Sequence, residues 1–112
     1  MDVQDNRSTG ARRPAAEHVA AAAETLRLLT DHTRLTLLHA LAQGDAERNE
    51  LTAHVGLEAA IVSQQLSRLR LARLITSYKA DGRVVYSLPD PHLRRMVSEM
   101  LAFAERSAAE AG

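Results

Sequence analysis

Residues 59–88 contain a helical pattern of apolar residues that changes into a strand pattern, AAIVSQQLSRLRLARLITSYKADGRVVYSL. The first part predicts an amphipathic helix, with Val62 as an interruption, because apolar residues recur at helical spacing: Ile61, Leu66, Leu69 and Leu74. Two segments rich in β-branched and aromatic residues, 75–78 and 83–88, follow on either side of Ala80-Asp81-Gly82. Asp-Gly between such segments is typical of a tight hairpin. We therefore predict a helix followed by a hairpin.

The other faces of this predicted helix carry amide, hydroxyl and guanidinium groups, which suit the major groove of DNA. Gln can pair with adenine, Arg with guanine, and Ser with bases or phosphates. Lys79 and Arg83 flank the hairpin tip, where cations would reach a phosphate backbone beside the groove. A solvated helix face and a sheet edge protected by charges are the alternative interpretations.

Composition agrees with one small domain, because 112 residues with 46% hydrophobic content suit a single core. The 14 basic and 14 acidic residues cancel over the whole chain. Residues 58–83, however, carry five cations against two anions. Positive charge is therefore concentrated where the helix and hairpin are predicted, as binding to DNA requires.

The sequence contains no cysteine, which excludes disulfides, thiolate metal sites and cysteine nucleophiles. Any metal would have to be held by histidine and carboxylate ligands. The longest Ala-rich run, residues 19–23, is too short to span a bilayer. We expect a soluble, cytoplasmic protein with no membrane partner.

The rest of the chain predicts further helices around this segment. Residues 1–14 have no period and are predicted to be a disordered tail, followed by one domain over residues 15–109 and a short tail at 110–112. A first helix is predicted over residues 15–29, with a narrow apolar stripe formed by Val19, Ala22, Leu26 and Leu29.

A second helix follows, with caps at both ends and inward residues Leu35, Leu38, Leu41 and Ala42. Thr30 or Asp31 can cap its start, and Gly44 can end it in the left-handed conformation. Asn49 can cap a short third helix over residues 50–55 that ends at Gly56. This helix and the polar-faced helix after it form a helix-turn-helix pattern.

Four segments in this order carry a family resemblance: LTDHTRLTLLHAL, NELTAHVGL, AAIVSQQLSRLRLARLI and DGRVVYSL. Over residues 20–106 the chain resembles the ArsR/SmtB family of winged helix-turn-helix repressors. The resemblance implies a mainly α fold of five helices with a small β-hairpin before the last. His32, where the family usually has proline, and Arg73, where many members have glycine, are departures that do not threaten this fold.

The resemblance also implies a homodimer that binds a double-stranded DNA operator with inverted half-sites. Gln64 and Gln65 are the best candidates for base contacts. The implied DNA-binding residues are Ser63, Gln64, Gln65, Ser67, Arg68, Arg70, Lys79 and Arg83.

A final helix is predicted over residues 90–109, and it carries an apolar seam of Leu93, Met96, Val97, Met100, Leu101 and Ala104. An apolar seam in so small a chain is typical of a dimer face, which the first helix would complete. Packing of the seam on its own domain is the alternative. The family resemblance favours the dimer.

In one branch of the family, this last helix binds zinc or nickel through an Asp-x-His pair and two later ligands from the other subunit. Asp90 and His92 match the pair, but Phe103 and Arg106 occupy the partner positions and cannot bind a metal in this form. That four-ligand site is therefore incomplete. A variant site for nickel, zinc or cobalt would use His92 and Asp90 together with Glu105, His18 and Glu17.

No catalytic motif is present, so we do not expect an enzyme. The preferred hypothesis is a DNA-binding transcriptional regulator that responds to a metal ion such as nickel. The alternative is a winged-helix protein interaction module, or a regulator that depends on a second regulatory protein and has no effector metal of its own.

Overall fold

The computed structural model describes residues 12–111, which form five helices and three strands. In chain order these are α1 (Ala16–Leu29), α2 (His32–Gln43), β1 (Ala46–Glu47), α3 (Arg48–Val55), α4 (Ala59–Leu71), β2 (Thr76–Ala80), β3 (Arg83–Ser87) and α5 (Pro91–Ala111). The predicted winged helix-turn-helix fold is confirmed. Most of the predicted N-terminal tail, residues 1–11, lies outside the described residues. Residues 12–15 belong to no helix or strand, and α5 extends two residues past its predicted end.

The three strands form one antiparallel sheet in the order β1-β3-β2. Strand β1 was not predicted, because its two residues are too few to show an alternating pattern. It pairs Ala46 with Tyr86 and Glu47 with Val85, and so fixes the hairpin against the start of α3. The sheet therefore joins the β2–β3 hairpin, which we call the wing, to the helix-turn-helix formed by α3 and α4.

The core is made by α2, α3, α4, α5 and the residues on either side of the hairpin, with the buried residues Leu37, Leu38, Leu41, Leu51, Val62, Leu66, Leu69, Ile75, Leu88 and Val97. Helix α1 buries none of its residues in this core. The predicted stripe of α4 was wrong at its start, because Val62 is fully buried while Ile61 is 39% exposed. Val62 shares one helical stripe with Leu66 and Leu69, at spacings of four and three.

Two of the predicted helix ends differ in the structure. Asp31 caps α2 as predicted, by accepting a hydrogen bond of 2.9 Å from the backbone N–H of Arg34. The prediction for Gly44 was wrong: its φ of 167° is extended, because the chain runs on at once into β1. Asn49 is not the cap of α3, since the helix begins at Arg48, two residues earlier than predicted, with Glu47 as its N-cap. The Glu50 carboxylate accepts from the Glu47 backbone N–H at 2.8 Å.

The junctions on both sides of β2 use left-handed backbone conformations. Asp81 and Gly82 have φ values of 53° and 77°, and Ala80 pairs with Arg83, so the hairpin closes through a two-residue turn as predicted. Arg73, with a φ of 64°, ends α4 in the same conformation, which costs a non-glycine residue about 1 kcal/mol. The Leu74 N–H donates to the Leu69 carbonyl at 3.0 Å across this turn. The direction of the wing is therefore set at the end of α4.

Candidate nucleic-acid interface

Helix α4 has one buried side and one exposed polar side. Val62, Leu66 and Leu69 fix the helix in the core. The opposite side presents the exposed residues Gln64, Ser67, Arg68 and Arg70, with Ser63 half-buried beside them. Amide, hydroxyl and guanidinium groups thus lie together on a helix that the core holds in place, as a helix that reads DNA requires.

Gln65 differs from its neighbour Gln64, because its side chain is half-buried and already hydrogen-bonded. The Arg34 Nη1 of α2 donates to Gln65 Oε1 at 3.0 Å. The same guanidinium donates through Nε to the carbonyl of Leu28, at the end of α1, at 2.7 Å. Within residues 12–111 no side-chain hydrogen bond engages Gln64, so the two adjacent glutamines stand in different environments.

Arg48 is a candidate contact residue that the sequence analysis missed. Its side chain is exposed in the first turn of α3, and its Nη1 lies 3.4 Å from the Ser63 hydroxyl oxygen at the start of α4. Arg48 was overlooked because the third helix was predicted to begin only at residue 50. The guanidinium adds one cation at the edge of the polar side of α4.

The wing carries its two predicted cations on its surface. Lys79 and Arg83 are exposed on β2 and β3. The Arg83 Nη1 lies 3.3 Å from Glu47 Oε2, and this pair is too exposed to contribute much stability. An exposed pair of this kind can exchange its carboxylate for a DNA phosphate at little cost.

The base of the wing is tied to the rest of the domain through Asp45. The Tyr78 hydroxyl donates to Asp45 Oδ2 at 2.6 Å, and this hydrogen bond to a carboxylate raises the pKa of Tyr78 above its ordinary value. Arg94 of α5 approaches Asp45 Oδ1 at 3.9 Å and donates to the Leu88 carbonyl at 2.6 Å. The wing is therefore connected to α5 by side-chain contacts.

Asp90 and His92 lie together at the start of α5, but Asp90 already has a structural role. Its Oδ1 accepts hydrogen bonds from the backbone N–H groups of His92 at 2.8 Å and of Leu93 at 3.0 Å. Both Asp90 and His92 line an open groove of about 420 Å³ between α1 and α5, together with Leu26 and Met96. The imidazole of His92 is exposed beside this groove.

The other predicted metal ligands are exposed on the long helices. Glu17 and His18 lie in the first turn of α1, and Glu105 lies in the last part of α5. Within residues 12–111 of one copy, no three histidine or carboxylate side chains come together in a group that could hold a metal ion. A metal site built from these residues would need a second copy of the chain.

Helices α1 and α5 together expose a set of large apolar side chains, which we name the α1/α5 apolar face. Its members are Val19, Leu26, Met96, Met100 and Phe103, each between 37% and 55% exposed. A hollow of about 400 Å³, lined by residues of both helices, lies on this face. Helix α5 also packs inward through the buried Val97, so part of its seam packs on its own domain, as in the alternative interpretation. No helix within residues 12–111 has the length and apolar character that crossing a membrane requires.

Comparison with known proteins identifies the family. Residues 31–77 match the family described as "Bacterial regulatory protein, arsR family". The chain is 35% identical to the HTH-type transcriptional regulator KmtR of Mycobacterium tuberculosis over 81% of its own length and 70% of the relative's. It is 33% identical to the regulator NmtR of the same organism, over 86% and 83%.

A solved structure agrees with these relatives. The structure of the AntR antimony-specific transcriptional repressor is 30% identical, with a TM-score of 0.79 over 91% of this chain and 94% of that one. The relatives are transcriptional regulators and not enzymes. This chain therefore belongs to the ArsR family of winged helix-turn-helix DNA-binding transcriptional regulators.

Proposed function

We propose that this regulator binds a double-stranded DNA operator as a homodimer, with α4 in the major groove and the wing on the neighbouring backbone. The observation that carries the proposal is the polar side of α4, held outward by a buried apolar side and flanked by the cations of the wing. A recognition helix needs this combination, since base contacts specify the sequence and phosphate contacts fix the position.

The residues divide by chemistry into two groups. Gln64 and Arg68 are exposed on α4 and would contact base edges, because Gln pairs with adenine and Arg with guanine. Ser63 and Ser67 would contact bases or phosphates beside them. The remaining cations would contact phosphates: Arg48, Arg70, Lys79 and Arg83. Gln65 is also a candidate for a base contact, although its amide oxygen already accepts a hydrogen bond from Arg34.

The second copy would cover the α1/α5 apolar face. Exposed apolar side chains in contact with one another mark an interface when the patch is continuous. Because α1 has no fully buried residue and both Val19 and Leu26 are about half exposed, its stripe is available to a second copy. Two α4 helices related by this interface would meet two half-sites of one operator.

The test is DNA binding by the full chain and by the double variant Gln64→Ala with Arg68→Ala. We expect the wild-type chain to shift its own promoter fragment, and the double variant to lose at least about tenfold in affinity, since each base contact contributes roughly 1–3 kcal/mol. The matched control removes the same residue types elsewhere, as Gln43→Ala with Arg27→Ala, and should bind as the wild type does. Equal binding by both double variants would overturn the assignment of α4.

We also propose a metal effector of the nickel, zinc or cobalt class, bound between two copies. His92 and Asp90 would supply two ligands, because Oδ2 of Asp90 takes no part in capping α5. Glu105, His18 and Glu17 are the candidates for the remaining positions. Imidazole and carboxylate donors suit these borderline metals. The AntR repressor is antimony-specific. Antimony is not proposed as the effector of this chain, because the sequence has no cysteine thiolate to bind it.

Calorimetric titration of the dimer with each of these three metals tests this second proposal. We expect a saturable site that His92→Ala abolishes and that His54→Ala, an exposed histidine on α3, leaves intact. Unchanged binding in His92→Ala would place any metal elsewhere. The relatives are named as transcriptional regulators, and the proposal includes no second regulatory protein. An interaction module would be indicated by a folded dimer that prefers no DNA sequence.

A further inference from the structure

Arg94, near the start of α5, contacts three segments of the chain through one guanidinium group. Its Nε donates to the carbonyl of Leu88, the residue after β3, at 2.6 Å. Its Nη1 donates to the Ala42 carbonyl near the end of α2 at 3.5 Å, and its Nη2 lies 3.9 Å from Asp45 Oδ1. Asp45 immediately precedes β1. Arg94 therefore joins α5 to the end of β3 and to the segment that leads into β1.

The carboxylate of Asp45 extends this connection to β2, the other strand of the wing. Its second oxygen, Oδ2, accepts the hydrogen bond of 2.6 Å from the Tyr78 hydroxyl. The two oxygens of this carboxylate face different partners, so the contact with Arg94 and the contact with Tyr78 exist together. A path of two side-chain contacts therefore runs from α5 through Asp45 to the residue next to Lys79.

The position of β2 depends on support of this kind, because β2 is the outer strand of the sheet and is exposed along most of its length. Its buried neighbour in the chain is Ile75, and Lys79 follows Ile75 by four positions. Four residues of a strand span about 13 Å, so a tilt of about 10° at Ile75 would move Lys79 by about 2 Å. A shift of that size separates an ammonium group from a phosphate that it had contacted.

We propose that Arg94 is a positioning residue for the wing, which through Asp45 holds β2 at the angle where Lys79 meets a DNA phosphate. This inference rests on the proposed function, because it concerns the same contact between the wing and the backbone. Arg94 would not touch DNA itself. It would leave the base contacts of α4 unchanged, because that helix is held in the core by its own buried side chains.

The test is a double-mutant cycle on the slope of the logarithm of affinity against the logarithm of salt concentration, measured with the full chain and its own promoter fragment. In the wild-type background, Lys79→Gln should reduce the magnitude of this slope by about 1, as the loss of one phosphate contact does. Arg94→Met keeps a long unbranched side chain but removes the donors. In that background we expect Lys79→Gln to change the slope by less than about half as much, because Lys79 is already out of position.

Three further variants keep the test decisive. Arg95→Met removes the neighbouring exposed cation of α5 and is the matched control, in which Lys79→Gln should have its full effect. Gln64→Ala should weaken binding by the same factor in the wild type and in Arg94→Met, because α4 stays in place. If Arg94→Met does not fold, Asp45→Ala replaces it, since Asp45 is exposed and its loss interrupts the same path at the next residue.

The outcomes separate this inference from the proposed function. A change of about 1 in slope on Lys79→Gln in both backgrounds would overturn the role of Arg94 and leave the proposed function standing. No change of slope on Lys79→Gln in the wild type would overturn the proposed contact between wing and backbone, and the role of Arg94 with it. If Arg94→Met also removed the effect of Gln64→Ala, Arg94 would support the fold as a whole, and its specific role in the wing would be overturned.

Discussion

The two exposed faces of this molecule differ in how completely one chain builds them. The proposed DNA face, formed by α4 and the wing, is polar and is held by contacts within the chain, such as Arg34 to Gln65 and Asp45 to Tyr78. The α1/α5 apolar face instead leaves five large apolar side chains between 37% and 55% exposed. The difference indicates that one copy is sufficient to shape the proposed reading surface, whereas the proposed function assigns the second face to contact with another copy of the chain.

This difference has an energetic basis. Polar groups on the DNA face remain hydrated until phosphates and base edges replace the water, so they tolerate exposure in the free protein. Exposed apolar area is unfavourable in water by roughly 25 cal/mol per Å², and covering it stabilises a dimer. Under the proposed function, the apolar face would therefore control assembly, and the polar face would control which DNA the dimer binds.

The largest expected effect follows from a charge on the α1/α5 apolar face. Met100 is 53% exposed in one chain, and it would lie within the dimer interface. Met100→Arg would place an unpaired cation there, and we expect the dimer to dissociate, because burying an unpaired charge costs several kcal/mol. Binding to an operator with two half-sites should fall by orders of magnitude with it. Sedimentation and DNA titration measure the two effects.

The control for this variant is another exposed apolar residue outside the face. Leu71, at the end of α4, is 85% exposed, and Leu71→Arg should leave the mass of the dimer unchanged. A Met100→Arg protein that sediments as the wild type does would show that α1 and α5 do not form the interface.

A smaller effect is expected from removing one cation of the wing. Lys79→Gln should weaken binding to all DNA sequences alike, because a phosphate contact carries no sequence information. The slope of the logarithm of affinity against the logarithm of salt concentration should decrease in magnitude by about 1. Arg95→Gln, which removes an exposed cation of α5, is the matched control and should leave the slope unchanged. An unchanged slope in Lys79→Gln would place the wing away from the backbone.

Removing the charge of the Glu47 carboxylate is expected to strengthen DNA binding, the opposite of removing a cation of the wing. This carboxylate lies 3.3 Å from Arg83 and competes with phosphate for that guanidinium. Glu47→Gln should therefore strengthen binding to DNA by a few-fold at low salt, with the gain lost at high salt as charges are screened. Glu99→Gln, on exposed α5, is the control and should have no such effect. Weaker binding in Glu47→Gln would mean that its role at the start of α3 outweighs the competition.

The sequence predicted the parts of the fold that have a repeated pattern. The helices, the Asp81-Gly82 turn and the cap at Asp31 all follow from local periodicity and residue type. Strand β1 was missed because only its pairing with β3 defines it. The cap at Glu47 was missed because glutamate is not among the residues that usually cap a helix. The first residue of the apolar stripe of α4 was predicted one position too early, at Ile61 instead of Val62. Both residues are apolar, and only packing distinguishes them.

The same limit applies to the candidate site. The polar residues of α4 and the wing could be identified from their types and spacing alone. The different environments of Gln64 and Gln65 could not, because Arg34 lies 31 positions from Gln65 in the chain. Arg48 was missed for a similar reason, since its position beside Ser63 depends on how α3 meets α4.

The smallest expected effect concerns the hydrogen bond at the base of the wing. Tyr78→Phe removes the donor to Asp45 and should lower thermal stability and DNA affinity at neutral pH. Both losses should be small, because the hydroxyl is at the surface. Tyr86→Phe, the same substitution on β3, is the matched control for the loss of a hydroxyl.

The stabilising effect of the Tyr78 hydroxyl is expected to depend on pH. The pKa of Tyr78 is raised in the folded chain, chiefly by its hydrogen bond to Asp45, so folding favours the neutral hydroxyl. Its contribution is fully present below the pKa of an unfolded tyrosine and is lost as pH rises through the raised pKa of the folded state. The wild type should therefore lose its small advantage over Tyr78→Phe only in strongly alkaline solution. A thermal-unfolding difference that stayed constant across that range would show that the Tyr78 hydroxyl does not bond to Asp45.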